Sequence, residues 1–233
     1  LIDMQAIAHD DASGRWVATR DLAEFPIPDT LQGVIAARID RLPVDARHIL
    51  QMASVIGRIF LYRVLASIAE QDQSLEDKLL VLQREEMIRE RARIPELEYI
   101  FKHELTREAA YDGILKRQRK FCHRQVAEAL ERLSPDRLDE HAGLLAHHGE
   151  RAEEPAKAVT CLLRAGDQAH LAYALHEAAD LYGRAAVLLA PDHDLDQQAR
   201  VMAKLGMIRQ ISGENASARA AFERSFELWQ QAT

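Results

Sequence analysis

Little in this sequence marks chemistry directly. Its 233 residues include two cysteines, Cys122 and Cys161, with no C-x-x-C partner, and these read as reduced core thiols in a cytoplasmic setting. No apolar run approaches the roughly 18 residues of a membrane span, and no signal peptide opens the chain. G-x-x-x-x-G-K-[ST], G-x-G-x-x-G, H-E-x-x-H and G-x-S-x-G are all missing, and the ten glycines are scattered, so no loop of consecutive amides can cradle a phosphate. The chain is therefore not expected to hydrolyse a nucleotide by itself, and no catalytic residue is assigned. A basic excess is lacking too. Thirty Lys and Arg face 37 Asp and Glu, a net charge of -7, which disfavours a nucleic-acid binder overall. The first residues are Leu1-Ile2-Asp3 rather than a methionine, which reads as a piece of something longer.

What is present is an ordinary soluble composition, 48% apolar and 29% charged, with enough chain for one or two domains. Ala, Leu, Glu and Arg dominate, which favours helix. Charge divides the chain into residues 1-83 at net -4, 84-124 at net +3 and 125-233 at net -6. Arg15 to Thr19 is a short strand candidate, and Asp29 or Thr30 is placed to cap a helix carrying Leu31, Val34, Ile35, Ile39 and Leu42 on one stripe, ended by Pro43. Helices are expected over Val44 to Ile56 and around Leu61 to Ala69, and a further one capped by Ser74, with Leu75, Leu79 and Leu82 inward. The hydrophobic period then falls to two. Met87 to Arg91 and Leu97 to Phe101 flank a turn containing Pro95, which predicts a β-hairpin. Three helices followed by a hairpin is the order of a winged-helix domain, and no strand pairing is expected beyond that hairpin and the short N-terminal strand.

Helices are expected from Glu104 onward to the end of the chain, the last four forming an internal repeat. Ala165-Gly166 recurs as Leu205-Gly206, Ala178 as Ala218 and Tyr182 as Phe222, each 40 residues later. A small residue, three spacers and an aromatic form the Ala-x3-Phe step of a tetratricopeptide (TPR) repeat, in which the small side chain admits a close helix crossing. The usual period is about 34, and a longer loop at Asp192 to Asp196 would hold the extra residues. The expected fold class is thus mainly α: a winged-helix domain with one β-hairpin, then TPR-like antiparallel helical hairpins. Gly166, Ala178, Tyr182, Gly206, Ala218 and Phe222 are the expected repeat-packing residues.

Among candidate sites, His141, His147 and His148 lack Cys or Glu at ligand spacing and read as the surface of an amphipathic helix, not a metal site. The segment before the hairpin, Ser74 to Met87, sets Lys78 and Arg84 against Glu76, Asp77, Glu85 and Glu86, a charge that repels DNA phosphates. Lys116 to Lys120, followed by His123 and Arg124, reads as a solvated helix start facing the acidic repeat region. His103, at the end of the second hairpin strand, reads on spacing alone as a structural residue.

Several segments together resemble a family. Ile27-Pro28-Asp29-Thr30-Leu31, Ala37 to Leu42, Ala53-Ser54-Val55-Ile56-Gly57, Phe101-Lys102-His103-Glu104-Leu105, Ala142 to His148 and Leu162 to Gly166 are similar to the bacterial signal-transduction P-loop ATPases called STAND proteins, in the branch fused to adenylate/guanylate cyclase or LuxR-type DNA-binding domains. The resemblance implies that residues 1-42 end an ATPase and its lid, 43-115 form a regulatory winged helix, and 116-233 begin a TPR sensor array. It implies ATP or ADP in the parent protein but no cofactor in this segment, with His103 as a nucleotide-phosphate sensor and an upstream ATPase core as partner. A protein or peptide partner would bind the TPR-like helices, with no membrane and no DNA contact through this module. The alternative function is a winged-helix transcriptional regulator with a helical effector domain.

Overall fold

The computed structural model describes residues 7–10, 15–18, 31–69, 73–189 and 194–232; the proposed caps Asp29 and Thr30 lie outside them. The chain divides into two units, Leu1–Leu42 and Pro43–Thr233. In the first, β1 (Ile7–Asp10) pairs antiparallel with β2 (Arg15–Ala18), Ile7 opposite Ala18, and α1 (Leu31–Asp40) follows. The lone N-terminal strand is thus corrected to a hairpin. On α1 the expected stripe is only partly inward: Ile39 is buried, whereas Val34 is 43% exposed.

The second unit is mainly helical, with a small three-stranded antiparallel sheet. It opens with α2 (Val44–Ile56), β3 (Ile59–Leu61), α3 (Tyr62–Ile68) and α4 (Leu75–Arg84). β4 (Ile88–Ala92), β5 (Glu98–Phe101) and α5 (Glu104–Asp112) follow. α2 buries Ile49, Leu50, Met52, Ala53 and Ile56, the residues its period selects, and α4 buries Leu75, Leu79 and Leu82. Ser74 occupies the α4 N-cap position, but its side chain makes no capping bond, so the expected cap is not formed.

The strand order is β3-β5-β4, so the single hairpin expected from the period-two runs is corrected to a sheet with a third strand. Ile59 pairs with Ile100 and Phe60 with Tyr99. The third strand brings Phe60 into the core at 1% exposure, where its ring stacks on Tyr99 and meets Phe101 edge-on, both with centroids 5.8 Å away. At three residues β3 is too short to show alternation, and its partner lies some 40 positions further along the chain.

The rest is a succession of helices. α6 (Lys116–Leu133) is followed by one 3-10 turn at Pro135–Arg137, then α7 (Ala142–Arg151), α8 (Pro155–Leu171), α9 (Leu175–Leu188), α10 (Leu195–Ile211) and α11 (Asn215–Ala232). Each packs on the next, and one core runs through α7 to α10, from Ala142 and Leu162 to Tyr182, Leu205 and Ile208. Three of their turns share one device. Residues Glu153, Tyr173 and Gly213 sit at φ near 57, 58 and 81°, and the following residue's N–H reaches back five positions, Glu154 to Gly149, Ala174 to Ala169 and Glu214 to Arg209. That is the Schellman closure of a helix C-terminus, in which the left-handed position favours glycine, and here only Gly213 supplies it. Asp194 caps α10, accepting from the N–H groups of Asp196 and Gln197 at 3.0 and 3.3 Å.

Candidate functional site

The close crossings of the helical stack are its most specific feature. A Cβ on Gly166 of α8 would lie 2.6 Å from the ring of Tyr182 on α9, and one on Gly206 of α10 would lie 2.9 Å from the ring of Phe222 on α11. At Gly166 only hydrogen fits against the buried Tyr182 ring, while at Gly206 a methyl would require the partly exposed Phe222 ring to shift; each helix-interior glycine costs about 1 kcal/mol relative to alanine. Ala178 and Ala218, four positions before the aromatics, are buried beside them. Four of the six residues singled out by the 40-residue period thus meet in two crossings, Gly166 with Tyr182 and Gly206 with Phe222.

The two crossings differ in polarity. Tyr182 is fully buried and donates its hydroxyl to Asp167 at 2.5 Å, and Lys204 of α10 reaches the same carboxylate. Burial pushes the Asp167 carboxyl up, but the hydrogen bonds from Lys204 and Tyr182 and the Lys204 charge hold it below its ordinary value. Burial first, and the Asp167 bond second, push the Tyr182 phenol well above its ordinary range. Forty residues on, Phe222 and Met207 stand at the positions of Tyr182 and Asp167, so hydroxyl and carboxylate are absent together. Beside the first crossing, α8 and α10 border a cleft of about 490 Å³ in which Thr160, Arg164, Asp167, Gln168 and Gln197 alternate with the apolar Leu163 and Leu171, so it carries charges of both signs on a mixed surface.

His103 stands at the N-cap of α5, exposed, and its side chain makes no capping bond. Its neighbours are committed to ion pairs: Lys102 with Glu86 at 2.8 Å, and Glu104 with Arg107 at 2.5 Å. Two of the hairpin cations are paired as well, Arg91 with Glu98 at 2.7 Å and Arg93 with Glu90 at 2.5 Å, while Arg89 is exposed. The basic start of α6 turns toward acids of the α7–α8 turn, Lys120 to Glu153 and Arg124 to Glu154, both at 2.5 Å. Both cysteines are free and half-buried rather than fully in the core.

One cluster escaped the sequence reading. His148 of α7 and His123 of α6, assigned to helix surfaces, are 0% and 1% exposed and meet Nδ1 to Nδ1 at 2.8 Å. His123 Nε2 bonds the Tyr111 hydroxyl of α5 at 3.0 Å, while His148 Nε2 is buried without a partner. Burial first, then the neighbouring charges of His147, Arg151 and Arg119, lower the His123 pKa to about 4. Burial, then His123 and His147, lower that of His148 to about 3. The signal lay in spacing: His123 precedes the buried Val126, Ala127 and Leu130 at three, four and seven, which places it on the inner face. Among the described residues no group of three or more His, Cys, Asp or Glu side chains could hold a metal ion, and no helix is long and apolar enough to cross a membrane.

No family model and no curated protein matches this sequence. Among solved structures, the chain is similar to a signal transduction ATPase with numerous domains (STAND) protein with a tetratricopeptide repeat sensor, from Pyrococcus horikoshii, at 10% identity and a TM-score of 0.35. The match covers 89% of this chain and 35% of that one, so this chain spans about a third of that protein's length.

Proposed function

We propose that this chain is the regulatory and protein-interaction segment of a STAND-type signalling ATPase, coupling nucleotide state to the sensing of a partner or inducer. Residues 1-42 end the ATPase and lid, 43-115 are the winged helix, and 116-233 begin the TPR-like sensor. The observation that carries the reading is the pair of equivalent crossings, Gly166 with Tyr182 and Gly206 with Phe222: two helical hairpins joined in one way 40 residues apart make a repeat, and a repeat stack offers an extended face to a polypeptide. The mixed-charge cleft between α8 and α10 suits a polar peptide segment.

The winged-helix assignment is supported by the order α2-β3-α3-α4-β4-β5, helices threaded by a small sheet. His103 is exposed and its side chain is not spent on the helix cap, so its imidazole is available to donate to a phosphate of ADP held by an ATPase core. The segment itself is not an enzyme; the parent joins it to an ATPase and to a cyclase or transcription-regulator domain. DNA binding through the wing is disfavoured, because Arg91 and Arg93 are paired with carboxylates and α4 begins with Glu76 and Asp77.

The test is ADP calorimetry on the protein with its ATPase core, with His103 intact and as His103→Ala. Binding weakened about tenfold, roughly 1.4 kcal/mol, supports the sensor role. Equal binding makes His103 structural, and no binding in either form removes the ATPase assignment.

A further inference from the structure

A cavity of about 400 Å³ opens between α2 and α6, within the range of small-molecule sites. Its floor is apolar, with Ile49, Met52, Ile68 and Ile114 all buried. Among the described residues no Asp, Glu, Lys or Arg lines it. Against that apolar floor these residues offer a charged ligand no carboxylate or ammonium partner, so the floor favours an uncharged one.

Its walls are not inert. Gln51, Gln118 and Gln125 contribute amides and His48 an imidazole. Among the described residues no hydrogen bond occupies these four side chains. Gln51 and Gln125 are half-buried and His48 and Gln118 exposed, so four polar groups without a protein partner border one space, open to water or to a ligand. Each amide presents a donor beside an acceptor, the pattern that reads the complementary donor and acceptor edge of a nitrogen heterocycle. At the rim the Phe121 ring is 56% exposed, a surface on which a flat ring can stack.

From this geometry we infer that the α2–α6 cavity is a binding site for an uncharged planar nitrogen heterocycle with a lactam-type edge, held by the glutamine amides over the isoleucine and methionine floor. The site joins the first helix of the sheet-bearing part to the helix that leads into the stack, so an occupant would brace the two. This inference is independent of the ATPase reading.

The probe is lumichrome, an uncharged fluorescent tricycle with lactam edges, read by fluorescence anisotropy. N-phenyl-1-naphthylamine, which has two apolar ring systems and no lactam, reports the floor alone, and flavin mononucleotide carries a similar ring system with a phosphate. Lumichrome is expected to bind, to lose about tenfold in affinity in Gln125→Leu or Gln118→Leu, and to outcompete flavin mononucleotide. Naphthylamine binding is expected to persist in both variants, which shows that the fold is intact.

A second readout uses Cys122, a half-buried thiol lining the cavity, with Cys161 on α8 as internal reference. Lumichrome should slow alkylation of Cys122 by N-ethylmaleimide about tenfold and leave Cys161 unchanged, the occupancy expected well above the dissociation constant. The inference is overturned by no lumichrome binding up to ~1 mM, by affinity indifferent to both glutamine variants, or by equal binding of flavin mononucleotide.

Discussion

Acid should destabilise this protein first through the His123–His148 contact. At neutral pH one Nδ1–H donates to the other ring's Nδ1 lone pair, and His123 Nε2 is engaged with Tyr111. A first proton would enter a buried site faced by Arg119, Arg151 and His147, with no carboxylate opposing it. A second would set two N–H groups against each other at 2.8 Å. Both folded-state pKa values therefore lie below the unfolded value of 6.5, at about 4 and about 3. For such depressed imidazoles the unfolded chain takes up protons first, so stability is full above pH 6.5 and falls as the pH drops toward the folded values. From about pH 7.5 to about pH 5 each ring loses about 2 kcal/mol, and the pair about 4, a large part of the ~5–15 kcal/mol typical of a domain. The depressed carboxylates, such as Glu90 and Asp167, have ordinary values of 4.5 and 3.8 and so lose their contribution only at lower pH. Urea denaturation followed by helical circular dichroism at about pH 7.5 and about pH 5 measures this loss, and His123→Phe/His148→Phe should remove most of it. Equal stability at the two pH values, or a slope that survives the double substitution, would refute the reasoning.

Four further outcomes follow from the stack. Gly166→Ala should destabilise by about 1–2 kcal/mol, a clash with the immobile Tyr182 ring less the helix-propensity gain. Gly206→Ala should be nearly neutral, because the 39%-exposed Phe222 ring can swing aside; thermal melts of both variants decide it. Tyr182→Phe should cost about 0.5–1.5 kcal/mol by removing one donor from the half-exposed Asp167, which keeps Lys204, and a denaturant midpoint unchanged by the substitution would contradict the contact. Tyr173→Gly should stabilise by up to about 1 kcal/mol in the same assay, since Tyr173 is 82% exposed and holds a left-handed conformation at the α8–α9 turn.

What could be read in the sequence was what local periodicity encodes. The inward face of α2, the β4–β5 turn and the 40-residue recurrence of Gly166, Ala178 and Tyr182 all express themselves within a few turns or by repetition. β3 and β1 were hidden because three- and four-residue strands carry no period and are defined by partners elsewhere. The histidine pair was hidden for a related reason. His148 was weighed against metal-ligand spacing, whereas its neighbour is on another helix, 25 positions away. The α2–α6 cavity arises where segments distant in sequence fail to fill space, and no run of residues announces it.

Hydrogen exchange on the protein together with the proposed ATPase core is the direct test of whether the His103 region answers to bound nucleotide. With ADP bound, amides of β5 and α5 on either side of His103 should exchange more slowly than without nucleotide, and His103→Ala should erase the difference. Exchange in this segment that is identical with and without ADP would contradict the claim.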